Sequence, residues 1–332
     1  MSENCVEILG KKARQAEKFL NTVSQNLKND ALLSIADALV KAAKRGGTKI
    51  IHGRAKKILT ENGAVSGVLL ENGETLPADS VILATGGMSY PLTGSTGDGY
   101  KMARALGHTV AEIKPSLVAL NAHEGFCERL AGLSLKNVTL SVFEEGKKKP
   151  VFSELGEMLF THFGISGPLV LSASAHMRYI GKKQYTAVID LKPGLTPEQL
   201  DKRILRDFDE EKNRDFINSL DKLLPKSLIA IIVRLSCIEP DRKVNSISRE
   251  QRAALCGVLK GLTLHITGTR PIDEAIIARG GISVKEIDPK TMGSKLVNGL
   301  YFAGEIIDVD AYTGGFNLQI AFSTGFAAGS NV

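Results

Sequence analysis

Glu305 follows Gly304 at the end of the apolar run Leu300–Ala303, and Asp308, Asp310 and Thr313-Gly-Gly-Phe-Asn317 come soon after. The run has the composition of a short strand covered on both faces. A glycine at its end lets the backbone pass close to a bound molecule. The carboxylate beside it accepts hydrogen bonds from hydroxyl groups. Gly314 and Gly315 then open an apolar segment that ends near Ala328, so a helix with unpaired N–H groups at its start is expected there. Such an end, with Phe316 and Asn317 in its first turn, suits a carbonyl oxygen or a ring that gains negative charge on reduction. This is the layout expected around a flavin, with Glu305 of a type that fits polar contacts to its ribityl or phosphate side. Asp308 and Asp310 either join that site or cap the loop.

Other residues offer chemistry with less context. Val81-Ile-Leu-Ala84 reads as a second buried strand closed by the turn Thr85, Gly86 and Gly87. Ser95-Thr-Gly-Asp-Gly99 either caps a helix start or lines the cofactor. His162, between Phe160 and Phe163, reads as a proton donor over the ring, as a substrate-orienting group, or as a hydrogen-bonded structural residue. Arg279 either pairs with an anionic substrate group or is an ordinary surface arginine. Tyr90 and Tyr312 rank after these. The remaining histidines show no metal-ligand spacing, so no metal site is expected.

A dinucleotide fold normally opens with strand, Gly-x-Gly-x-x-Gly and helix, with an acidic residue about 20 positions on. No such glycine pattern occurs in the 332 residues. Gly97-Asp-Gly99 comes nearest, but Met102 stands at the third glycine and a loop precedes it.

A hydrophobic fraction of 43% and a charged fraction of 23% are ordinary for a globular chain long enough for two or more domains. The net charge of +6 is spread among 36 acidic residues. The basic cluster Lys147-Lys148-Lys149 follows Glu144-Glu145-Gly146 and reads as a solvated hairpin turn, so no nucleic-acid partner is expected. The four cysteines are far apart and form no Cys-x-x-Cys. A disulfide scaffold and a dithiol reductase are therefore disfavoured, and a reduced, cytoplasmic setting is expected. No run reaches membrane-span length and no signal-peptide core is present, so no membrane partner is expected.

The elements that must position these groups follow from periodicity. Leu32, Ile35, Ala36, Leu39 and Val40 predict a helix from Ala31, stopped at Arg45-Gly-Gly47. Strand-like pieces follow at Lys49–Ile51, 55–60 and 65–70, with Asn62-Gly63 and Asn72-Gly73 as tight turns. A helix is expected over Tyr100–Leu106. Further strands are expected at 117–120, 138–142, 186–190, 262–267 and 282–287. Residues 196–260 read as helical, opened by Thr196-Pro-Glu-Gln199. A β-rich unit, 116–195 and 262–289, thus carries a helical insertion, 196–261.

Five motifs occur in order: Ala84-Thr-Gly-Gly87, Gly94-Ser-Thr-Gly-Asp-Gly99, Phe160-Thr-His-Phe-Gly-Ile-Ser-Gly-Pro168, Gly280-Gly-Ile-Ser-Val-Lys-Glu286 and Gly299–Asn317. Together they resemble a family of bacterial FAD-dependent oxidoreductases that includes aminoacetone oxidases and bile-acid reductases. The wider group is the two-dinucleotide-domain flavoproteins, which also contains fumarate reductases. The resemblance runs from about residue 30 to the last residue. It implies an α/β, Rossmann-like FAD domain of the glutathione-reductase type in 1–115 and 290–332. It also implies a β-barrel substrate domain in 116–195 and 262–289, with the helical insertion inside it. FAD would lie against Thr85, Gly86, Gly87, Gly304, Glu305, Gly314, Gly315, Phe316 and Asn317, with His162 as the catalytic candidate. The flavin would exchange a hydride or electrons with a small organic substrate, with NAD(P)H as a transient donor. Members of that family open with a glycine-rich turn that holds the pyrophosphate. Residues 1–30 look like none of this, so the FAD domain is expected to lack its first βαβ unit. The rival expectation is a flavin-free remnant without activity. Oligomeric state is not legible.

Overall fold

The computed structural model describes residues 16, 19 and 22–332. The expectation for residues 1–30 therefore falls largely outside the described residues. The chain divides into two units, Met1–Arg54 and Ala55–Val332. In the first, helix α1 (Gln25–Arg45) starts where the Ser24 hydroxyl accepts the Leu27 N–H and stops at Gly46. This start precedes the one read from periodicity, because a serine cap satisfies first-turn donors whatever the apolar spacing. Leu32, Ile35 and Leu39 lie exposed. Lys49–Ile51 forms no strand.

The second unit opens with an antiparallel meander, β1 (Ala55–Glu61), β2 (Ala64–Leu70) and β3 (Thr75–Pro77). Asn62 and Gly63 both have positive φ, 53° and 80°, as a two-residue hairpin requires. Next comes β4 (Val81–Leu83), then helix α2 (Asp98–Ala105), whose Tyr100, Met102 and Ala103 are buried. β5 (Lys114–Ser116) and β6 (Leu120–Ala122) flank Leu117. The single strand expected at 117–120 is broken because Leu117 takes a φ of +51°, which no ladder accommodates.

A closed six-stranded barrel follows. Its members are β6, β7 (Ser134–Glu144), β8 (Phe152–Thr161), β9 (Gly164–Ser166), β10 (Tyr185–Asp190) and β11 (Leu262–Thr269), in the order β10-β11-β6-β9-β8-β7. Alternate residues point inward: Tyr185, Ala187 and Ile189 from β10, Leu140 and Val142 from β7, Leu262 and Leu264 from β11. A barrel this small is filled by side chains, not by a ligand. Short helix α3 (Phe126–Arg129) and helix α4 (Pro168–His176) pack on it.

Between β10 and β11 lie α5 (Pro197–Glu210), α6 (Lys226–Leu235) and α7 (Arg249–Lys260). Capping boxes start α5, at Thr196 and Gln199, and α7, at Ser248 and Gln251. Their apolar faces, including Leu200, Leu228 and Leu255, join the same core as the barrel interior.

After the barrel, β12 (Ile277–Arg279) pairs antiparallel with β5. The strand expected at 282–287 is instead a short 3-10 turn at Val284–Glu286, because Gly280 and Gly281, with φ of +86° and +142°, turn the chain away. β13 (Leu300–Phe302) then pairs in parallel with β4, and α8 (Phe316–Gly329) ends the chain. Leu83, Leu300 and Phe302 are buried while Ile82 is exposed. The pair is thus covered on one face among the described residues, where apolar composition predicts both.

A buried histidine ties this region together. The His108 ring nitrogens lie 3.1 Å from the Glu286 carboxylate and 2.9 Å from the Ser294 hydroxyl, and its ring meets Phe302 edge-on at 4.9 Å. Burial holds the imidazole below its ordinary pKa of 6.5, against the pull of Glu286. The unfolded chain therefore takes up this proton first. The stability contribution is complete above 6.5 and is lost as pH falls through that value toward the lower folded pKa. Hydrogen bonding to Thr109 holds the Glu286 carboxyl below its usual 4.5, so its contribution is also lost on acidification. The urea midpoint is expected to fall between about pH 7.5 and about pH 5.5, with a shallower fall for His108→Gln. Identical slopes for the two proteins would contradict the assignment.

Candidate active site

β4 and β13 run parallel, so both deliver their C-terminal turns to one edge, the place where open α/β sheets hold ligands. Thr85, Gly86 and Gly87 leave β4 there, and Gly304 and Glu305 leave β13. The Glu305 carboxylate reaches back between them. Its Oε1 accepts the Ala278 N–H at 2.7 Å and the Ser89 hydroxyl at 3.5 Å. Gly87 lies against the same oxygen, and a Cβ built there would stand 2.6 Å from it. The Tyr100 hydroxyl donates to the Glu305 carbonyl at 3.3 Å. Burial of that phenol, with the Glu305 charge beside it, pushes its pKa well above the ordinary range. One carboxylate oxygen thus latches the turns together, and Oε2 has no partner among the described residues. The Gly304 N–H donates to the Thr324 hydroxyl of α8 at 2.9 Å.

Gly314 and Gly315 enter α8 with φ of +105° and +91°, and no side chain caps the helix. A Cβ at Gly315 would meet nothing within 4 Å, and with no side-chain cap the first-turn N–H groups lack a side-chain acceptor. The Asn317 side chain is already committed. It accepts the Ala311 N–H at 2.9 Å and donates to the Ala311 and Tyr312 carbonyls at 2.8 and 3.3 Å. Asn317 therefore holds the loop that carries Tyr312, and its backbone N–H is what remains for a ligand.

Beyond this helix start lies a cavity of about 880 Å³, lined by Glu112, Lys114, His176, Arg178, Arg279, Asp308, Asp310, Tyr312, Phe316 and apolar residues. This is within the size range of small-molecule sites. The Tyr312 hydroxyl and His176 Nε2 are hydrogen-bonded, with ring centroids 5.6 Å apart. Asp310 accepts the Ser116 hydroxyl at 2.9 Å. Burial, then the nearby Asp310 charge, raises the Asp308 carboxyl above its usual pKa. Lys114 pairs with Glu112 at 2.8 Å.

A second cavity of about 650 Å³ shares His176 and Arg178 with the first and is lined by Lys147, Lys148 and Lys149. Buried Glu144 takes Lys183 at 2.5 Å, Lys147 at 3.1 Å and the Tyr185 hydroxyl at 3.2 Å. Those bonds, the one to Lys183 foremost, hold its carboxyl below the usual range. Lys148 and Lys149 have no acidic partner among the described residues. The run is a turn, as its composition predicts, but a turn on a cavity.

The structure thus groups Thr85, Gly86 and Gly87 near Gly304 and Glu305, and sets Phe316 in one wall with Arg279, Asp308, Asp310 and Tyr312. His162 sits exposed on the β8–β9 hairpin, edge-on to Phe163 at 4.9 Å, and does not line the cavity. Tyr90 is exposed and also lies outside it. Sequence reasoning passed over His176 and Arg178, which no motif marks.

The residues present fit the ring and ribityl end of a flavin. Open N–H groups at α8 suit the charge that accumulates on the reduced ring. The free Glu305 oxygen suits a hydroxyl. For the pyrophosphate, the described residues contain no Gly-x-Gly-x-x-Gly turn.

Residues 23–331 match the HI0933-like protein Rossmann domain. The chain is 31% identical over 305 residues to the 3-dehydro-bile acid delta(4,6)-reductase of Clostridium scindens, an alignment covering 91% of this chain and 73% of that protein. It is 30% identical over 315 residues to the ribosomal RNA dihydrouridine synthase of Escherichia coli, covering 94% and 74%. For the Haemophilus influenzae ribosomal RNA dihydrouridine synthase the identity is 32% over 267 residues, covering 80% and 63%.

Proposed function

We propose that this chain, which belongs to the HI0933-like Rossmann-domain family, is an FAD-dependent reductase that adds hydrogen across a carbon–carbon double bond conjugated to a carbonyl. The observation that carries this reading is the uncapped glycine entry to α8, which opens beside Phe316 on the wall of the 880 Å³ cavity. The two kinds of relative share one chemistry. A delta(4,6)-reductase of a 3-dehydro steroid and a dihydrouridine synthase both saturate such a bond.

FAD would be held by Thr85–Gly87, Gly304, Glu305 and the first turn of α8, and when bound it supplies the hydride. This chain's own residues supply the rest. The cavity wall would orient the carbonyl. The Tyr312 hydroxyl, fixed by Asn317 through the loop and by His176 directly, gives the proton to the substrate, and His176 replaces it. We assign that role to Tyr312, not His162, because His162 stands outside the cavity. NAD(P)H is the proposed source of reducing equivalents, docking transiently.

The first substrate reading is a small organic molecule. A second reading, a uridine within RNA, is favoured by one observation: the cavity bearing Lys148 and Lys149 lies beside the first, with His176 and Arg178 lining both. Phosphates passing the opening would lie along those lysines.

Titration of the purified chain with FAD tests the reading. A saturable change in flavin fluorescence and in the visible band is expected, and Gly315→Val is expected to weaken it at least tenfold. A folded protein that leaves FAD unperturbed would sink the flavoenzyme reading and favour a remnant without activity.

A further inference from the structure

We propose that Arg178 and Arg279 form an oxyanion-binding subsite in the cavity wall, which selects substrates carrying a carboxylate or a phosphate at a fixed distance from the reacting bond. The inference rests on the reading that substrate enters this cavity, but it concerns which substrates are taken and not the flavin.

The two arginines are neighbours. Arg279 Nη2 donates to the Arg178 backbone carbonyl at 3.2 Å, and both side chains line the same cavity. Neither has a carboxylate within ion-pair distance among the described residues, whereas Lys114 in the same wall is already paired with Glu112. Two adjacent like charges are held together at a cost. The cost is greater for Arg279, because it is half-buried on β12. Its guanidinium pKa is lowered mainly by that burial and also by the Arg178 charge, with the Asp310 charge acting the other way. An arginine kept half-desolvated with no acid in direct ion-pair contact is unusual for a purely structural role. The planar fork of each guanidinium matches the paired oxygens of a carboxylate or phosphate.

The surroundings limit the ligand further. Phe316 and the small apolar residues of the wall accept an apolar or flat body, while Asp308 and Asp310, which also line the cavity, disfavour a second anionic group beside them. Arg178 also faces the second cavity, with Lys148 and Lys149 beyond. The oxyanion therefore has two chemical sources: the terminal carboxylate of an otherwise apolar acid, or the phosphodiester of an oligonucleotide.

The test is equilibrium binding to the full chain without added flavin, so that it does not depend on the flavoenzyme reading. The probes are cholate, methyl cholate as its neutral counterpart, and a short uridine-rich RNA. At least one anionic probe is expected to bind. Its affinity should fall tenfold or more in Arg279→Gln and in Arg178→Gln, and by less in Arg279→Lys, which keeps the charge but not the fork. Circular dichroism of each variant establishes folding, and Arg279→Lys keeps the test open if Arg279→Gln does not fold. Cholate binding with methyl cholate inert identifies a carboxylate ligand. RNA binding that is lost in the same variants identifies a phosphodiester. Binding of cholate and its ester with equal affinity, anion binding untouched by every variant, or no binding of either anion would overturn the proposal. FAD titration of the same variants separates the two readings. Intact FAD binding with lost anion binding in a variant supports the subsite, whereas an unsubstituted chain that binds the anion but ignores FAD sinks only the flavoenzyme reading.

Discussion

Replacing Tyr312 by phenylalanine is expected to lower turnover by about 10²–10⁴-fold while leaving FAD affinity and fold unchanged. The substitution keeps the ring that packs 5.6 Å from His176 and removes only the hydroxyl. Asn317 still holds the loop, because it binds the backbone of residues 311 and 312 and not the phenol. The loss should therefore appear in kcat and leave KM nearly unchanged, the pattern of a group that acts in the transition state. His176→Gln should cost less, since it removes the resupply of the proton but not the donor. The measurement is steady-state turnover with a conjugated enone substrate and NAD(P)H, run beside His162→Gln. A larger loss from His162→Gln than from Tyr312→Phe would return the proton-donor role to the hairpin histidine.

Gly280→Ala is expected to destabilise the fold by about 2–5 kcal/mol, a sum of left-handed backbone strain and overpacking. Gly280 has a φ of +86°, and a Cβ there would stand 2.3 Å from the Glu112 carbonyl oxygen and 3.2 Å from that of Ala111. Both obstacles are backbone, so no side chain can swing aside. Relief requires pulling β12 from β5, which pair through Ala278 with Pro115 and Arg279 with Lys114. That movement would also carry Arg279 out of the cavity wall. Gly63→Ala is the control. Its φ of +80° imposes the same kind of strain, but its Cβ would meet nothing within 4 Å, so about 1–2 kcal/mol is expected. Urea unfolding of the two variants decides the matter. Equal midpoints would show that the Gly280 turn relaxes freely and that the close approach has no energetic weight.

What the amino-acid sequence determined by itself was whatever depends on neighbours along the chain. Asn62-Gly63 specifies its hairpin because both residues must take positive φ. Thr196 and Gln199 specify a helix start because their side chains reach backbone groups three residues away. The alternation in Tyr185–Asp190 specifies a strand with one buried face. Gly314 and Gly315 mark an open helix entry for the same local reason, and the Rossmann-type family could be read from the order of such motifs. The pairing of distant groups was decided by tertiary structure alone. His176 and Tyr312 stand 136 positions apart, and each is unremarkable among its sequence neighbours. The Glu305 carboxylate is half-consumed by the Ala278 N–H, a bond no spacing rule announces. Leu117 breaks an apparently continuous strand only because β5 must reach β12 while β6 enters the barrel. Local propensities act over a few residues, whereas a cavity is made where remote segments close on one another. Its chemistry is therefore written in the packing.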